Sequence, residues 1–364
     1  MPTSSMNGLL QSQADFVSAL EALAPSPVLA LDTEFMRERS YRPQLCLVQL
    51  GDAAQQVCVD PLQLDDLAPL AAQLADTRQI KLVHAAAQDL EVLHQRLGIL
   101  PAPLFDTQLA ATLCGVGEQI GYAALIERLL GVVLDKSSSR TDWAQRPLTP
   151  EQYRYALDDV RYLPEAYALL DEQLNALGRA DWMREDCAAQ LDPARWTVDP
   201  LEAWRRVKGW QRVPKSGFAR LRQLAAWREQ RAQALDRPRR WILDDESLLR
   251  MVNRPPRTLK ALQHGETLPA QLFPEAEAIM DALALAEHDP SPMPPAWKAL
   301  QGDERERFAR MLEVLDACAQ TLNLPASLLL NRSELERLAR EPAALEALQG
   351  WRVGVCGEAL TAVL

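Results

Sequence analysis

The chain has 364 residues and a formal net charge of −11, with 48% hydrophobic and 24% charged residues, as in ordinary globular proteins. This length favours two or three domains, and no apolar run approaches the roughly 18 residues that a membrane-spanning helix needs. The six cysteines form no CxxC pair, which disfavours a disulfide scaffold or a thiolate zinc site. Because the polar start also lacks a signal-peptide pattern, the sequence predicts a soluble, cytoplasmic protein.

The first half of the chain alternates strand-like and helix-like segments. Three strands, whose short connections favour antiparallel pairing, are predicted at 28–35, 45–50 and 57–60. Further short strands are predicted at 80–83 and 104–106, and helices at 86–97, 107–113 and 122–130. Strands that give way to alternating strands and helices predict an α/β domain, in which helices flank a mixed sheet.

The clearest helix signal begins at Thr149. The sequence Thr149-Pro150-Glu151-Gln152 forms a capping box with proline at the first helical position, and apolar residues follow at helical spacing. Pro164 then predicts a break or a kink. Tyr155 and Asp159 are four residues apart, so they share a helix face that differs from the apolar stripe. A solvated helix surface is the alternative interpretation of that face.

Strand signals end near residue 201, and helices are predicted at 221–234 and 245–253. A weak repeat at an offset of 87 residues relates residues 235–251 to residues 322–338, which indicates a duplicated helical unit. Chance similarity between amphipathic helices is the alternative. The proline-rich stretch 288–296 has the composition of a linker between domains.

Charge is distributed unevenly along the chain. Residues 201–264 contain 16 Lys and Arg against 6 Asp and Glu, whereas the segments on either side are acidic. A basic block of this kind is a candidate surface for a polyanion. A solvated, arginine-rich helical surface explains the same composition equally well.

Two carboxylates on the first predicted strand are candidates for chemistry. Asp32 and Glu34 lie two residues apart and so project from the same face of the strand. At about 4 Å and an effective dielectric constant near 20, they repel each other by roughly 4 kcal/mol. Protonation, a salt bridge or a divalent cation such as Mg²⁺ or Mn²⁺ can relieve this repulsion. An exposed strand edge is the alternative, and for Asp89 a favourable charge at a helix N-terminus is the alternative.

The combination is more specific than any of its parts. Asp32-Thr33-Glu34, Asp89 within HAAAQDLEVL, and Tyr155-Ala156-Leu157-Asp158-Asp159 resemble the motifs of the DEDD exonuclease superfamily, in its tyrosine branch. The runs YRPQLCLVQL and KSSSRTDWAQRPLTPEQYRYALDDV resemble the ribonuclease D family in particular. The two C-terminal helical units resemble HRDC domains, and the second of them, which closes with Gly350-Trp351-Arg352, is degenerate.

The resemblance implies three domains: an exonuclease domain of ribonuclease H-like fold at 1–200, a first HRDC domain at 205–287 and a second HRDC-like domain at 297–364. It also implies that Asp32, Glu34, Asp89 and Asp159 hold two divalent ions, Mg²⁺ or Mn²⁺, while Tyr155 positions the attacking water. Tyrosine, with a reference pKa near 10, is a poor general base at neutral pH.

The implied reaction is 3′→5′ hydrolysis of RNA to 5′-mononucleotides, in the maturation of tRNA precursors and other structured RNAs. We expect the basic block to contact phosphate groups, with His84, Lys136 and Arg140 as further substrate contacts, and we expect a monomer. A structural role for His84 and a solvated loop for Lys136 and Arg140 are the alternatives. Two other functions remain open, a DNA exonuclease of the same superfamily and a non-catalytic RNA-binding adaptor. No P-loop motif occurs, and no acidic motif position is lost.

Overall fold

The computed structural model describes residues 9–135, 141–264, 268, 270–291 and 299–364. They form two compact units. The first unit contains the described residues up to Met36, together with Gln44–Trp196 and Leu300–Leu364, and the second contains Arg37–Pro43 and the described part of Thr197–Ala299. The predicted division into domains at 1–200, 205–287 and 297–364 is not tested by these two compact units and stays a prediction. No helix in the described residues combines the length and the apolar composition that crossing a membrane requires.

The first unit is built on a six-stranded mixed sheet. Its strands are β1 (Leu9–Leu10), β2 (Val28–Met36), β3 (Gln44–Gly51), β4 (Gln56–Val59), β5 (Ile80–Val83) and β6 (Leu104–Asp106), in the order β1-β4-β3-β2-β5-β6. The β2–β3 and β3–β4 pairs are antiparallel and the other pairs are parallel. The predicted α/β fold and its five strands are confirmed. Strand β1 is absent from the prediction because two residues show no periodicity.

Among the described residues, eight helices accompany this sheet: α1 (Gln13–Leu23), α2 (Ala68–Leu74), α3 (Ala87–Leu97), α4 (Thr107–Leu113), α5 (Tyr122–Leu130), α6 (Pro150–Arg161), α7 (Leu163–Ala176) and α8 (Ala180–Gln190). The predicted capping box starts α6, since the Thr149 side chain accepts from the Gln152 amide and the Gln152 side chain accepts from the Thr149 amide. Pro164 occupies the first turn of α7, so the chain breaks between α6 and α7 as predicted.

The second unit is helical. It contains short 3₁₀ segments and the helices α9 (Phe218–Leu235), α10 (Arg239–Ile242), α11 (Asp245–Asn253), α12 (Leu259–His264) and α13 (Ala276–Leu285). Trp204 is 1% exposed and packs edge-to-face against Trp210 and Phe218, so this tryptophan belongs to the core of the unit. Trp241, by contrast, is 46% exposed and lies outside this core.

Further helices complete the first unit: α14 (Asp303–Leu322), α15 (Ala326–Leu329), α16 (Arg332–Arg340) and α17 (Glu358–Thr361). The helices α15 and α16 begin and end 87 residues after α10 and α11. The left-handed residues that end α9 and α14, Asp236 and Asn323, have the same offset. The predicted internal repeat is therefore confirmed.

The segment Gly350-Trp351-Arg352 attaches these C-terminal helices to α8 within the first unit. Trp351 stacks on Trp182 with ring centroids 4.4 Å apart and planes 9° from parallel. Arg352 donates two hydrogen bonds to the Asp186 carboxylate, at 2.6 and 3.0 Å. Gly350 has φ +72°, and a Cβ atom there would lie 1.5 Å from a Glu185 carboxylate oxygen, so this position requires glycine. The hydrophobic core is accordingly continuous between the sheet and the C-terminal helices.

Candidate active site

Strand β2 positions the first two carboxylates. Residues 30–36 of β2 pair with β3, whereas pairing with β5 ends at Ala30, so the β5-facing edge of β2 is open beside Asp32 and Glu34. The alternation predicted for this strand is confirmed at Leu29, Leu31 and Thr33, which are buried on the opposite face. The two carboxylates therefore project from one face at a place where the sheet leaves room for other groups.

Helix α6 brings the third carboxylate to this face. It packs against strands β2, β3 and β4, with its Ala156 against the buried Leu47 and Cys58. Ligand oxygens of Asp32, Glu34 and Asp159 all lie within 4.8 Å of one another. Tyr155 stands one turn before Asp159 and its hydroxyl hydrogen-bonds the Asp159 carboxylate.

The fourth carboxylate comes from the first turn of α3. Asp89 is 7% exposed, and its carboxylate accepts a hydrogen bond from the Thr33 hydroxyl. It lies close enough for its charge to raise the pKa of both Asp32 and Glu34. The structure therefore brings together the four acidic residues that the sequence motifs single out. The neighbouring Asp158 instead pairs with Arg161 at 3.2 Å, outside the group.

Burial and mutual repulsion make this group costly to ionise. Burial first, and then the charges of Asp159 and Asp89, raise the pKa of Glu34 to about 9. The pKa values of Asp89 and Asp159 rise to about 7, mainly through burial, and the pKa of Asp32 is raised well above its usual range. In the described part of the chain, no lysine or arginine forms an ion pair with these four carboxylates. Protons or cations must therefore supply the missing positive charge.

A buried amide also fits a hydrated cation at this place. Gln49 is the cross-strand partner of Asp32, and side chains paired in this way project from the same face. Gln49 is fully buried, yet neither its amide nitrogen nor its amide oxygen has a hydrogen-bond partner within the described residues. Leaving such atoms unpaired costs about 1–3 kcal/mol. Carboxylate oxygens beside an amide that can bond a water ligand form a donor set suited to Mg²⁺ or Mn²⁺.

Of the three predicted substrate contacts, only His84 lies among the described residues. His84 uses both ring nitrogens inside the fold, with Nδ1 2.9 Å from the Thr107 hydroxyl and Nε2 3.0 Å from the Ile120 carbonyl. Burial lowers the pKa of His84, so its ring is neutral at physiological pH. Both contacts favour a structural role for His84 over a direct contact with the substrate. Lys136 and Arg140 lie outside the described residues.

Two residues of the site, Thr33 and Gln49, escape prediction from the sequence. Thr33 stands between the two strand carboxylates, and strand alternation predicts for it only a place in the core. Gln49 interrupts the apolar strand LCLVQL, and a polar residue in a strand that is otherwise buried is a signal that could have identified it.

Comparisons with known proteins agree with this geometry. Residues 9–175 match the family model described as 3′-5′ exonuclease, and residues 217–270 match that of the HRDC domain. A ribonuclease D of Gluconacetobacter diazotrophicus is 39% identical, over 96% of this chain and 91% of its own length. Another, from Sphingobium indicum, is 40% identical, over 91% of this chain and 87% of its own length.

A solved structure extends the similarity to three dimensions. RNase D of Escherichia coli, an exoribonuclease involved in structured RNA processing, superimposes with a TM-score of 0.87 at 32% sequence identity. The alignment covers 99% of both chains. The similarity therefore includes the C-terminal helices as well as the mixed sheet and the helices around it.

Proposed function

Since the chain belongs to the ribonuclease D family of 3′→5′ exoribonucleases, we propose that it hydrolyses RNA from the 3′ end, one 5′-mononucleotide at a time, at the site formed by Asp32, Glu34, Asp89 and Asp159. The observation that carries this proposal is the convergence of four carboxylates, of which Asp89 is buried and the other three are partly buried, with a tyrosine hydroxyl beside the open edge of β2. Maturation of tRNA precursors and other structured RNAs is the proposed role.

The four carboxylates would hold two divalent cations, Mg²⁺ or Mn²⁺. When bound, such ions lower the pKa of the attacking water, stabilise the leaving oxygen and neutralise charge on the phosphate. The residues themselves provide a rigid frame, because Asp32 and Glu34 are fixed by β2, and Asp89 is held by the Thr33 hydroxyl.

Tyr155 orients water in this proposal and does not act as a base. Burial and the nearby carboxylates raise the pKa of its phenol far above the neutral range, so it stays protonated. Its hydrogen bond to Asp159 fixes the phenol beside the acidic group, where its oxygen can accept a hydrogen bond from the attacking water.

We expect Tyr155→Phe to lower kcat by about 10- to 100-fold while the Kd for RNA stays near its wild-type value, because one orienting hydrogen bond is removed. Single-turnover hydrolysis and equilibrium binding measure the two effects. Tyr167→Phe is the matched control, since Tyr167 lies in another helix, where it packs edge-to-face on Phe105. Equal activities of the Tyr155→Phe variant and the wild type would contradict this role.

The decisive experiment uses a 5′-labelled tRNA precursor with a 3′ tail, and single-stranded DNA of the same sequence. Each is incubated with the protein in Mg²⁺, in Mn²⁺ or in EDTA and resolved on a sequencing gel. We expect a metal-dependent ladder that shortens from the 3′ end of RNA. A ladder of equal intensity on DNA would indicate the broader exonuclease, and binding without cleavage in both metals would indicate an adaptor.

The basic second unit would contact RNA phosphates. Some of its arginines stabilise the fold instead, as in the Arg228–Asp245 pair at 2.7 Å. The exposed side chains of Arg212, Lys215 and Arg257 form no ion pair with the described residues, so they are available to phosphate groups.

We expect replacement of these three cations by glutamine to weaken RNA binding and to flatten its salt dependence. The slope of log K against log salt should fall by about 0.7 for each phosphate of single-stranded RNA that is no longer neutralised. Binding titrations between low and moderate salt measure this slope. The control replaces three exposed arginines of the acidic C-terminal segment, Arg305, Arg310 and Arg332. An identical slope for both triple variants would exclude the proposed contacts.

The monomeric state and the cytoplasmic location of the protein both stay predictions. Light scattering of the purified protein would test the monomeric state.

A further inference from the structure

The turn that joins β5 to α3 contains an unfavourable backbone conformation. Ala85 has φ +58°, in the left-handed region that residues other than glycine, asparagine and aspartate rarely adopt. It lies between His84 and Ala86, and Ala86 is the N-cap of α3. A conformation of this kind persists only when surrounding groups hold it in place.

The carboxylate of Asp106 holds this turn. Asp106 is the last residue of β6, 6% exposed, and it is paired in register with Val83 at the end of β5. Its Oδ1 atom accepts the Ala85 amide at 3.0 Å, and its Oδ2 atom accepts the Ala86 amide at 3.0 Å. One side chain thus satisfies both amides at the strained position.

The same carboxylate also begins the next helix. Asp106 is the N-cap of α4, where Oδ1 accepts the amide of Gln108 at 2.9 Å and that of Leu109 at 3.4 Å. Thr107 supports the turn from beside it, since its hydroxyl contacts the Val83 carbonyl and His84 Nδ1. The starts of α3 and α4 are therefore tied together through one buried charged group.

We propose that Asp106 is a positioning residue, which fixes the start of α3 so that Asp89 reaches the other three carboxylates in the geometry that metal binding needs. Asp89 lies three residues after Ala86, within the first turn of α3, and the Leu90 amide bonds the Ala86 carbonyl. A shift of Ala86 consequently moves Asp89 away from Thr33 and Asp32. This inference rests on the proposed function, because it assigns Asp106 a role in that same site.

The direct test measures Mn²⁺ binding to the full chain without RNA, by electron paramagnetic resonance, together with the Mg²⁺ concentration for half-maximal hydrolysis. Asp106→Asn can keep Oδ1 while it places an NH₂ group against the Ala86 amide, so it disturbs mainly the α3 side of the carboxylate. We expect it to weaken metal binding by about 10- to 100-fold, as removal of groups that orient metal ligands typically does. The KM for RNA at saturating Mg²⁺ should stay near the wild-type value.

A second substitution separates positioning from general stability. Ala85→Gly removes the steric strain of the left-handed conformation, so the turn then depends less on Asp106. The double variant Asp106→Asn/Ala85→Gly should therefore recover most of the metal affinity. The matched control is Asp52→Asn, because Asp52 is also a buried carboxylate that accepts two amides, those of Ala54 and Gln55, in the turn between β3 and β4. It should leave metal binding unchanged.

If Asp106→Asn does not fold, Ala85→Val strains the same turn without altering the carboxylate, and it should weaken Mn²⁺ binding in the same way. Wild-type Mn²⁺ affinity in a folded Asp106→Asn or Ala85→Val protein would overturn the inference. So would a weakening by Asp106→Asn that Ala85→Gly does not reverse. Failure of the proposed function is distinguishable, since it would appear in the wild type as RNA hydrolysis in EDTA or as no binding of Mn²⁺.

Discussion

Replacing Asp159 with asparagine is expected to lower the rate of RNA hydrolysis by about 10³-fold, while RNA affinity changes little. Asp159 lies within 4.8 Å of Asp32 and Glu34 and also fixes the Tyr155 hydroxyl. Its replacement would therefore remove both a proposed metal ligand and the hydrogen-bond partner of Tyr155, the group proposed to orient water. Asp32→Asn should have an effect of the same order, because the charges of all three other carboxylates act on Asp32 and raise its pKa.

The neighbouring residue provides the control for this prediction. Asp158 stands on the same helix, but it pairs with Arg161 outside the acidic group. Asp158→Asn should thus leave the single-turnover rate near that of the wild type. The rates are measured with labelled RNA in saturating Mg²⁺, and affinity is measured by fluorescence anisotropy in EDTA. If the Asp159→Asn variant hydrolysed RNA at a rate within a few-fold of that of Asp158→Asn, the proposed role of Asp159 in the site would be contradicted.

Replacing Trp351 with alanine is expected to lower the free energy of unfolding by about 3–5 kcal/mol. Trp351 is 7% exposed, stacks on Trp182, and donates its indole N–H to Asp186 at 3.1 Å. Removing the indole leaves a cavity between α8 and the C-terminal helices, and it also leaves the partly buried Asp186 carboxylate with one hydrogen-bond donor fewer. Urea denaturation followed by circular dichroism measures the destabilisation.

Two further variants make this prediction specific. Trp241→Ala removes a tryptophan that is 46% exposed, so we expect it to change the free energy of unfolding by less than about 1 kcal/mol. Trp182→Ala should destabilise to a similar extent as Trp351→Ala, and the double variant should be destabilised by less than the sum because the two rings contact each other. Additive effects would indicate that the stacked pair is not a unit.

The second helical repeat has a structural role in the unit that holds the four carboxylates. Its core residues, such as Met311 and Leu335, belong to the same hydrophobic core as the sheet. The C-terminal helices therefore support the unit that contains the site. Their acidic composition and their attachment through Trp351 and Arg352 both favour this structural role over a dominant role in RNA binding.

Most of the strands and helices, and the pairing of Asp32 with Glu34 and of Tyr155 with Asp159, could be predicted from local spacing in the sequence. The inclusion of Asp89 and the proposed roles of the four carboxylates instead came from the resemblance to the DEDD exonucleases. Period two placed Asp32 and Glu34 on one strand face, and the i, i+4 spacing placed Tyr155 beside Asp159. The capping box at Thr149 fixed where α6 begins. The offset of 87 residues likewise indicated a duplicated set of helices, because the caps and apolar positions of the two copies have the same spacing in the sequence.

Only the tertiary structure decided which of these groups meet and which charges stay uncompensated. The contact of Thr33 with Asp89 and the burial of Gln49 beside Asp32 depend on strand register and helix docking, which local periodicity does not encode. The hydrogen bonds that Asp106 accepts from the amides of Ala85 and Ala86 likewise connect groups that are 21 and 20 residues apart in the sequence. Physically, short-range preferences select each element and its faces, whereas long-range packing sets the distances and the burial on which metal affinity and pKa depend.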